Sequence, residues 1–238
     1  MIRNNLSIFL YIICMSYSQR DASGILLESK LDYIFAAKEN GFFIELGAND
    51  GLAASNTAYL EKERGWKGVL IEPSLRGYEL CKINRPDSVS CNYACVSNDY
   101  KGEYIYGDFE DNTLMGSVDG IRTSSNKITK VRASTLENIL MEVGLTEYDT
   151  IDLLSLDTEG YELNVLKGLN LKKYRPSYIL VEVYLDDMNS IFSYLDEHMY
   201  RLHSNFTNYN KVTNPIWDGK HNDFLFVDTT KPTQSPFT

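Results

Sequence analysis

The sequence predicts a single α/β domain built on a mainly parallel β-sheet. Short apolar runs such as FFIEL at 42–46 alternate with segments of helical periodicity about ten residues long, which is the pattern of βαβ crossovers. A length of 238 residues suits one such domain with short additions better than two domains. With 43% hydrophobic and 24% charged residues, the composition is that of a folded chain rather than a disordered or collagenous one.

In the first half, three helical patterns alternate with three apolar runs. The helical pattern that begins at 26 stops at Asn40-Gly41, and Gly65 is placed to end the second helix in the left-handed region, where a Cβ is costly. The predicted elements are a helix over 26–38, a strand over 42–46, a helix over 55–64, a strand over 68–72, a helix over 75–83 and a strand over 89–96.

The second half opens with a polar segment over 97–130, where we expect loops and short strands rather than core. Regularity returns at Ser134, which forms a predicted capping box with Glu137 and begins a helix that runs to about Val143. The remaining predicted elements are a strand over 151–157, a helix over 159–167 closed by Gly168, a strand over 178–184, a helix over 188–199 and strands over 200–206 and 223–227.

These boundaries divide the chain into a leader over 1–16, a domain over 17–228 and a flexible tail over 229–238. The leader has one basic residue, an apolar stretch over 6–15 and small residues at 16 and 18, as a signal peptide would. The stretch is too short to span a bilayer as a helix. A cleaved signal and an apolar helix packed on the domain both remain open.

Charge and cysteine content exclude several kinds of protein. Lys and Arg number 23 against 33 Asp and Glu, a net charge of −10, so we expect no nucleic-acid partner. Four cysteines, without a C-x-x-C pair, predict buried thiols rather than a disulfide scaffold or a zinc site. Cys91 and Cys95 would lie about 13 Å apart on one face of the strand over 89–96. His198, His203 and His221 lack zinc-ligand spacing, and a surface or capping role is the simpler interpretation, although His221, before the last strand, could face a ligand cleft.

The turn after the first predicted strand has the residue types of a ligand-binding loop. In open parallel sheets, ligands bind beyond the carboxyl ends of the strands, and the run ELGANDG at 45–51 begins there. Gly47 and Gly51 permit close approach of the backbone, and Asn49 tolerates a positive φ. The run is not the G-x-G-x-x-G fingerprint, because Asn49 and Ala54 replace two glycines. An ordinary strand-to-helix turn is the alternative.

A carboxylate ends the second predicted strand. Glu72 precedes Pro73, which ends the strand sharply. A carboxylate only accepts hydrogen bonds, so at the end of this strand it could accept them from both hydroxyls of a ribose. The pairing of this acid with the glycine turn favours a nucleoside site over a merely solvated acid.

Acidic residues also follow the fourth and fifth predicted strands. Asp157, Glu159 and Glu162 lie within the run DTEGYE at 157–162, and Glu182 lies near the end of the fifth strand. Such carboxylates could orient a substrate hydroxyl, take its proton or hold a divalent cation. The alternative is that Asp157 caps the next helix while the glutamates stabilise its positive end.

Several of these runs together resemble the FkbM family of S-adenosylmethionine-dependent methyltransferases, over about 17–228. The resemblance implies a class I (Rossmann-like) methyltransferase fold, three-layered, with an antiparallel last strand, and O-methylation, frequently of sugar hydroxyls. The runs that carry it are GFFIELGANDG at 41–51, SNT at 55–57, GWKG at 65–68, IEP at 71–73, DTEGYE at 157–162 and LKG at 166–168.

The resemblance also implies a set of residues for S-adenosylmethionine. Gly47, Asn49 and Gly51 would contact the methionine end, Glu72 the ribose, and the stretch 93–96 the adenine. The implied cofactor-binding residues are Glu45, Gly47, Asn49, Gly51, Asn56, Glu72, Pro73 and Cys95, with Thr57 supporting the loop. Glu45 stands where Asp is common, and Leu154-Ser155-Leu156 departs from the usual Leu-Lys-x, which leaves the acceptor open.

Methyl transfer to a sugar hydroxyl needs alignment and a base, because the hydroxyl is a poor nucleophile. By position we predict Asp157 as that base and Glu159 as the second choice, with a glycan or sugar acceptor as partner. Tyr93, Tyr104, Tyr106 and Tyr184 could stack on a sugar, although strand packing is the simpler role for at least two of them.

Two alternatives to this activity remain. One is an inactive binding or trafficking protein of the same fold, and the other is a nicotinamide-dependent enzyme, which the missing third glycine disfavours. The compartment is open: the signal-like residues 1–18 allow the secretory pathway, whereas the need for a cytosolic methyl donor slightly favours the cytoplasm. Oligomeric state is not predicted.

Overall fold

The computed structural model describes residues 19–109, 128–215 and 217–231. The predicted leader over 1–16, most of the polar segment (110–127) and the tail from 232 onward lie outside the described residues. Among the described residues, no helix has the length and apolar character needed to cross a bilayer. The helices and strands are α1 (Leu27–Ile34), β1 (Phe42–Leu46), α2 (Ala58–Arg64), β2 (Lys67–Ile71), α3 (Leu75–Asn84), β3 (Val89–Cys91), β4 (Ala94–Val96), β5 (Tyr104–Gly107), β6 (Thr129–Thr135), α4 (Leu136–Glu142), β7 (Leu153–Leu156), α5 (Glu162–Lys167), β8 (Tyr178–Tyr184), α6 (Met188–Glu197), β9 (Tyr200–Asn205) and β10 (His221–Asp228).

Seven strands form the central sheet in the order β3-β2-β1-β7-β8-β10-β9. The pairs from β3 to β8 are parallel, whereas β10 is antiparallel to both β8 and β9. The predicted mainly parallel sheet with an antiparallel last strand is therefore confirmed. The strand order changes direction at β1, and parallel sheets bind ligands at such a switch point.

Helices cover both faces of this sheet, as the apolar runs of the strands require. On one face, α4, α5 and α6 pack on residues such as Ile44 and Leu154. On the other face, α1, α2 and α3 pack on residues such as Phe43 and Leu153, together with Trp66. Successive residues of β1 thus enter opposite cores, and the fold has the predicted three layers.

The prediction of one strand over 89–96 is wrong, because the chain leaves the central sheet midway. Asn92 Nδ2 donates to the carbonyl oxygens of Glu72 and Pro73 at 2.9 and 2.8 Å, which anchors a turn after β3. β4 then pairs with β6 in a separate three-stranded sheet of order β4-β6-β5. Cys91 and Cys95 consequently lie in different sheets, although both thiols are buried as predicted.

Three predicted helix starts also shift, and the helix expected from 55 begins at Ala58. Thr135, not Ser134, caps α4 and accepts a hydrogen bond from the backbone N–H of Asn138 at 3.2 Å, because β6 continues through Thr135, which pairs with Val96. The helix expected from 159 begins only at Glu162, with Tyr161 as its cap residue. Asp157 is therefore not a helix cap, and its carboxylate is left for other contacts.

Candidate active site

A cavity of about 570 Å³ opens at the carboxyl ends of β1, β2, β7 and β8. Most predicted site residues lie in its wall. Those that line it are Gly47, Asn49, Asn56, Glu72, Pro73, Cys95, Asp157 and Glu159. Residues far apart in the chain are thus brought together where a parallel sheet binds its ligand.

The glycine turn after β1 has the conformation that its residues predict. Gly47 and Asn49 have φ values of 74° and 49°, and both line the cavity. A Cβ on Gly47 would lie 1.8 Å from the carbonyl oxygen of Asp157. The turn is therefore pressed against the end of β7, and only a glycine fits between them.

Glu72 lies buried at the end of β2, in the cavity wall. Its carboxylate oxygens accept hydrogen bonds of 2.8 Å from the backbone N–H groups of Asn49 and Ser74. Burial raises the pKa of Glu72 to about 7, against the lowering effect of those two hydrogen bonds. Each oxygen keeps acceptor capacity for a donor that enters the cavity.

Gly77 lets α3 approach this carboxylate closely. A Cβ there would lie 2.7 Å from both the Asn49 carbonyl oxygen and Glu72 Cγ. Gly77 itself lines the cavity, so a side chain at this position would push the helix away from the binding wall. This glycine was not predicted to be a site residue, because it lies inside a helical pattern.

Glu45 and Gly51 do not line the cavity among the described residues. The Glu45 carboxylate accepts hydrogen bonds from Ser55 Oγ, Thr57 Oγ1 and the backbone N–H of Asn56 at 2.6 to 3.0 Å. Glu45 therefore holds the loop that carries Asn56, which does line the cavity. Thr57 was predicted to support the glycine turn, and its hydroxyl donates to Glu45 Oε2 at 2.6 Å.

Asn56 is fixed from the other side by β7. Its Nδ2 donates to Ser155 Oγ at 3.1 Å, and Ser155 is buried within the strand. The serine that departs from the family pattern is thus a partner of the loop. The departure therefore has a local structural role, since the serine hydroxyl accepts the Asn56 hydrogen bond.

Acidic side chains gather at the β7 and β8 end of the cavity. The carboxylate oxygens of Asp157, Glu159 and Glu182 lie within 4.8 Å of one another, and Tyr184 Oη donates to Glu159 Oε2 at 2.6 Å. Burial, followed by the charge of Glu159, raises the pKa of Asp157. Burial, followed by the charge of Asp157, raises the pKa of Glu182. We refer to these three residues, together with Asp223, as the acidic wall.

Asp223 and His221 enter the same wall from β10. His221 Nε2 lies 3.6 Å from Glu182 Oε1, and burial together with the charge of Glu162 raises the pKa of Asp223 to about 7. The position of His221 before the last strand predicted that it could face the cleft, whereas Asp223 was not predicted to lie there. Because β10 is antiparallel, its first residues lie at the end where the parallel strands finish.

Other candidates lie away from the cavity or shape its loops. Glu162 accepts hydrogen bonds from the backbone N–H groups of Thr158 and Gly160 and so fixes the loop after β7. His198 bonds the carbonyl oxygen of Tyr194 at 2.7 Å, as a capping residue would. Of the four predicted sugar-stacking tyrosines, Tyr93 and Tyr184 line the cavity, whereas Tyr104 and Tyr106 belong to β5.

The predicted divalent cation stays a prediction. The cluster of Asp157, Glu159 and Glu182 has the oxygen ligands that hard cations prefer. Exposed or partly buried acidic groups are common without an ion, so the cluster alone does not make a metal site.

Comparison with known families and structures gives one strong match. The family model described as the methyltransferase FkbM domain matches residues 45–202, about two thirds of the chain. This range runs from the end of β1 to β9 and includes the glycine turn, Glu72 and most of the acidic wall. No curated protein matches the chain in sequence.

Solved structures that are similar to the chain share little sequence with it. A TehB-like S-adenosylmethionine-dependent methyltransferase from Corynebacterium glutamicum has 9% identity and a TM-score of 0.41, with 94% of this chain and 97% of that chain covered. A methyltransferase from Geobacter sulfurreducens in complex with S-adenosylhomocysteine has 8% identity and a TM-score of 0.44, with 85% and 90% covered. One from Aquifex aeolicus has 10% identity and a TM-score of 0.44, with 84% and 89% covered.

Proposed function

This chain belongs to the FkbM methyltransferase family, and from that premise we propose that it transfers a methyl group from S-adenosylmethionine to a sugar hydroxyl of a glycan. The observation that carries the proposal is the pairing of a buried carboxylate, Glu72, with the glycine turn at 47–51 on neighbouring strands. Both face one cavity at the switch point of a parallel sheet.

The wall at β1 and β2 fits the cofactor. Glu72 would accept the ribose hydroxyls, the backbone at Gly47 and Asn49 would contact the methionine end, and Cys95 with Pro73 would flank the adenine. The fit rests on the free acceptor capacity of Glu72 and on the close approach that Gly47 and Gly77 permit. When bound, S-adenosylmethionine supplies a methyl group that is already activated on a positively charged sulfur.

The chain's own residues then have to position the acceptor oxygen and remove its proton. Asp157 is the proposed base, and Glu159 is the second candidate. Burial, followed by the charge of Glu159, raises the pKa of Asp157, so its carboxylate is a stronger base than an exposed one. Taking the hydroxyl proton at Asp157 as the oxygen is methylated would accelerate transfer about 10²- to 10⁴-fold.

Ligand-induced stabilisation tests the cofactor assignment. S-adenosylhomocysteine and S-adenosylmethionine, each at 100 times its dissociation constant, should stabilise the protein by about 2.7 kcal/mol in scanning fluorimetry, whereas NAD should not. Stabilisation by NAD alone would replace the proposal with a nicotinamide enzyme. Binding of both sulfur compounds without transfer to any glycan would identify an inactive binding protein.

Substitution of the base tests the chemistry. Asp157→Asn should lower turnover on an oligosaccharide panel at least 100-fold while changing S-adenosylhomocysteine affinity little. Asp196→Asn is the matched control, because Asp196 lies exposed on α6, away from the cavity. Normal turnover in Asp157→Asn would assign the base elsewhere, with Glu159→Gln as the next variant.

A further inference from the structure

The acidic wall is short of positive charge. Asp157, Glu159, Glu182 and Asp223 all line the same end of the cavity. Among the described lining residues the basic side chains are Arg76, which belongs to α3, and His221, which belongs to β10. His221 can offset one of the four acids when it is protonated, so the wall carries an excess of negative charge or of shared protons.

One carboxylate oxygen of this wall lacks a hydrogen-bond donor. Glu182 is 7% exposed, and its Oε2 is buried with no hydrogen-bond partner among the described residues. Its other oxygen, Oε1, faces His221 at 3.6 Å. A buried carboxylate oxygen without a hydrogen-bond donor destabilises the folded protein, because it has lost its bonds to water. A donor that arrives with the ligand would satisfy it.

Tyrosine rings stand beside the same acids. Tyr184 donates to Glu159 Oε2 at 2.6 Å and stacks at a tilt on His221, with ring centroids 5.2 Å apart. Tyr209 also lines the cavity and is close enough to Asp223 for that charge to raise the pKa of its hydroxyl, after burial. Carboxylates combined with aromatic rings are the chemistry that binds organic ammonium groups.

We propose that the acidic wall binds the ammonium group of the acceptor, so that the preferred acceptor is a glycan containing a sugar with a free amine. This deepens the proposed function and rests on it. An ammonium donates hydrogen bonds to carboxylates and contacts tyrosine faces. A divalent metal ion would use the carboxylates but not the rings, which is why the observations favour an organic cation. Phosphorylated, sulfated or uronic acid sugars would be repelled.

A matched series of acceptors tests the inference. Glucosamine oligosaccharides, their N-acetylated twins and glucuronic acid oligosaccharides of the same linkage and length share one ring configuration and differ in charge. Binding is measured by calorimetry on the full chain saturated with S-adenosylhomocysteine, at low salt. We expect the amine series to bind at least about tenfold more tightly than the acetylated twins, the uronate series to bind weakest, and the preference to shrink as salt is added.

Charge-removing variants locate the effect in the wall. Asp223→Asn should lose most of the amine preference while binding the acetylated twin as before. Glu159→Gln should also lose most of the amine preference. Asp196→Asn, which removes the same charge from an exposed site, should keep the preference. Asp223 is not the proposed base. A change in the ratio of amine to acetylated acceptor affinity in Asp223→Asn can therefore be separated from a loss of catalysis.

Three results would overturn the inference. The first is equal or tighter binding of the acetylated or uronate series, the second is an unchanged preference in both wall variants, and the third is an equal loss of the preference in Asp196→Asn. Failure of the proposed function would look different, since S-adenosylhomocysteine would then neither bind nor stabilise the protein.

Discussion

At the residue scale, Glu72 shows how burial prepares a side chain for one ligand. Its carboxylate meets two backbone N–H groups, yet loss of water raises its pKa to about 7. A carboxyl in this state is partly protonated at neutral pH. It gains most from a ligand that brings hydroxyl donors, because these stabilise the ionised form.

Cofactor binding should therefore depend on pH through Glu72. Because the pKa is raised, the group is protonated below about pH 7 and ionised above it, so S-adenosylhomocysteine affinity should rise from pH 6 to pH 8. Glu72→Gln should weaken binding about tenfold or more and remove that rise, because an amide offers one acceptor oxygen and does not titrate in this range. Calorimetric titrations across the pH range measure both.

An unchanged affinity in Glu72→Gln would disprove the assignment of the ribose to this residue. Glu147→Gln is a suitable control, since Glu147 is exposed and does not line the cavity.

At the element scale, the site depends on how closely the ends of β1 and β7 approach each other. Gly47 leaves β1 with a positive φ and faces the carbonyl oxygen of Asp157. This contact sets the position of the glycine turn relative to the acidic wall. The loop after β7 is in turn held by Glu162, so the two halves of the site are fixed by neighbouring loops.

Alanine substitution separates this contact from backbone strain. Gly144 has a positive φ of 85° with nothing within 4 Å of a Cβ, so Gly144→Ala should cost about 1 kcal/mol of unfolding free energy. Gly47→Ala has the same strain plus a clash with Asp157, and we expect a cost of about 3 kcal/mol or more together with weaker S-adenosylhomocysteine binding. Urea denaturation and calorimetry test the pair. An equal loss of unfolding free energy in Gly47→Ala and Gly144→Ala would contradict this account, because it would mean that the glycine turn can move away from Asp157 without destabilising the protein.

At the scale of the whole molecule, Arg85 joins segments that are distant in the chain. Its side chain is fully buried and donates to the Gly51 carbonyl oxygen and to Thr57 Oγ1 at 2.9 Å. Arg85 also forms ion pairs with Glu61 at 2.9 Å and Glu45 at 3.6 Å. The loop that carries Asn56 is thereby attached to α2, α3 and β1 at one point.

Removing this cation should destabilise the entire domain. Arg85→Met leaves Glu45 and Glu61 buried without their cation, so we expect a loss of about 3–5 kcal/mol in urea denaturation. Arg85→Lys should recover part of the loss, because it restores the charge but not the planar set of donors. Arg201→Met, on the exposed side of β9, should have little effect. A loss in Arg85→Met no larger than in Arg201→Met would contradict this account.

The strands and most of the helices follow from local patterns, and the sequence predicted them. The strand over 178–184 has the predicted bounds, and Gly65 has the left-handed conformation expected of it. The glycine turn and Glu72 were also found from the sequence, because each lies directly after an apolar run. Residue type and spacing are sufficient to predict a site residue when the groups that define it are close together in the sequence.

Contacts between distant segments were decided only by the tertiary structure. Glu45 has a carboxylate in the predicted place, yet its partners Ser55 and Thr57 turn it toward the loop, and Asp223 reaches the cavity only because β10 runs antiparallel. Likewise, the break at Asn92 depends on carbonyl groups of another strand. Sequence periodicity reports which side of an element is buried, whereas the partner of a buried polar group is set by packing across the fold.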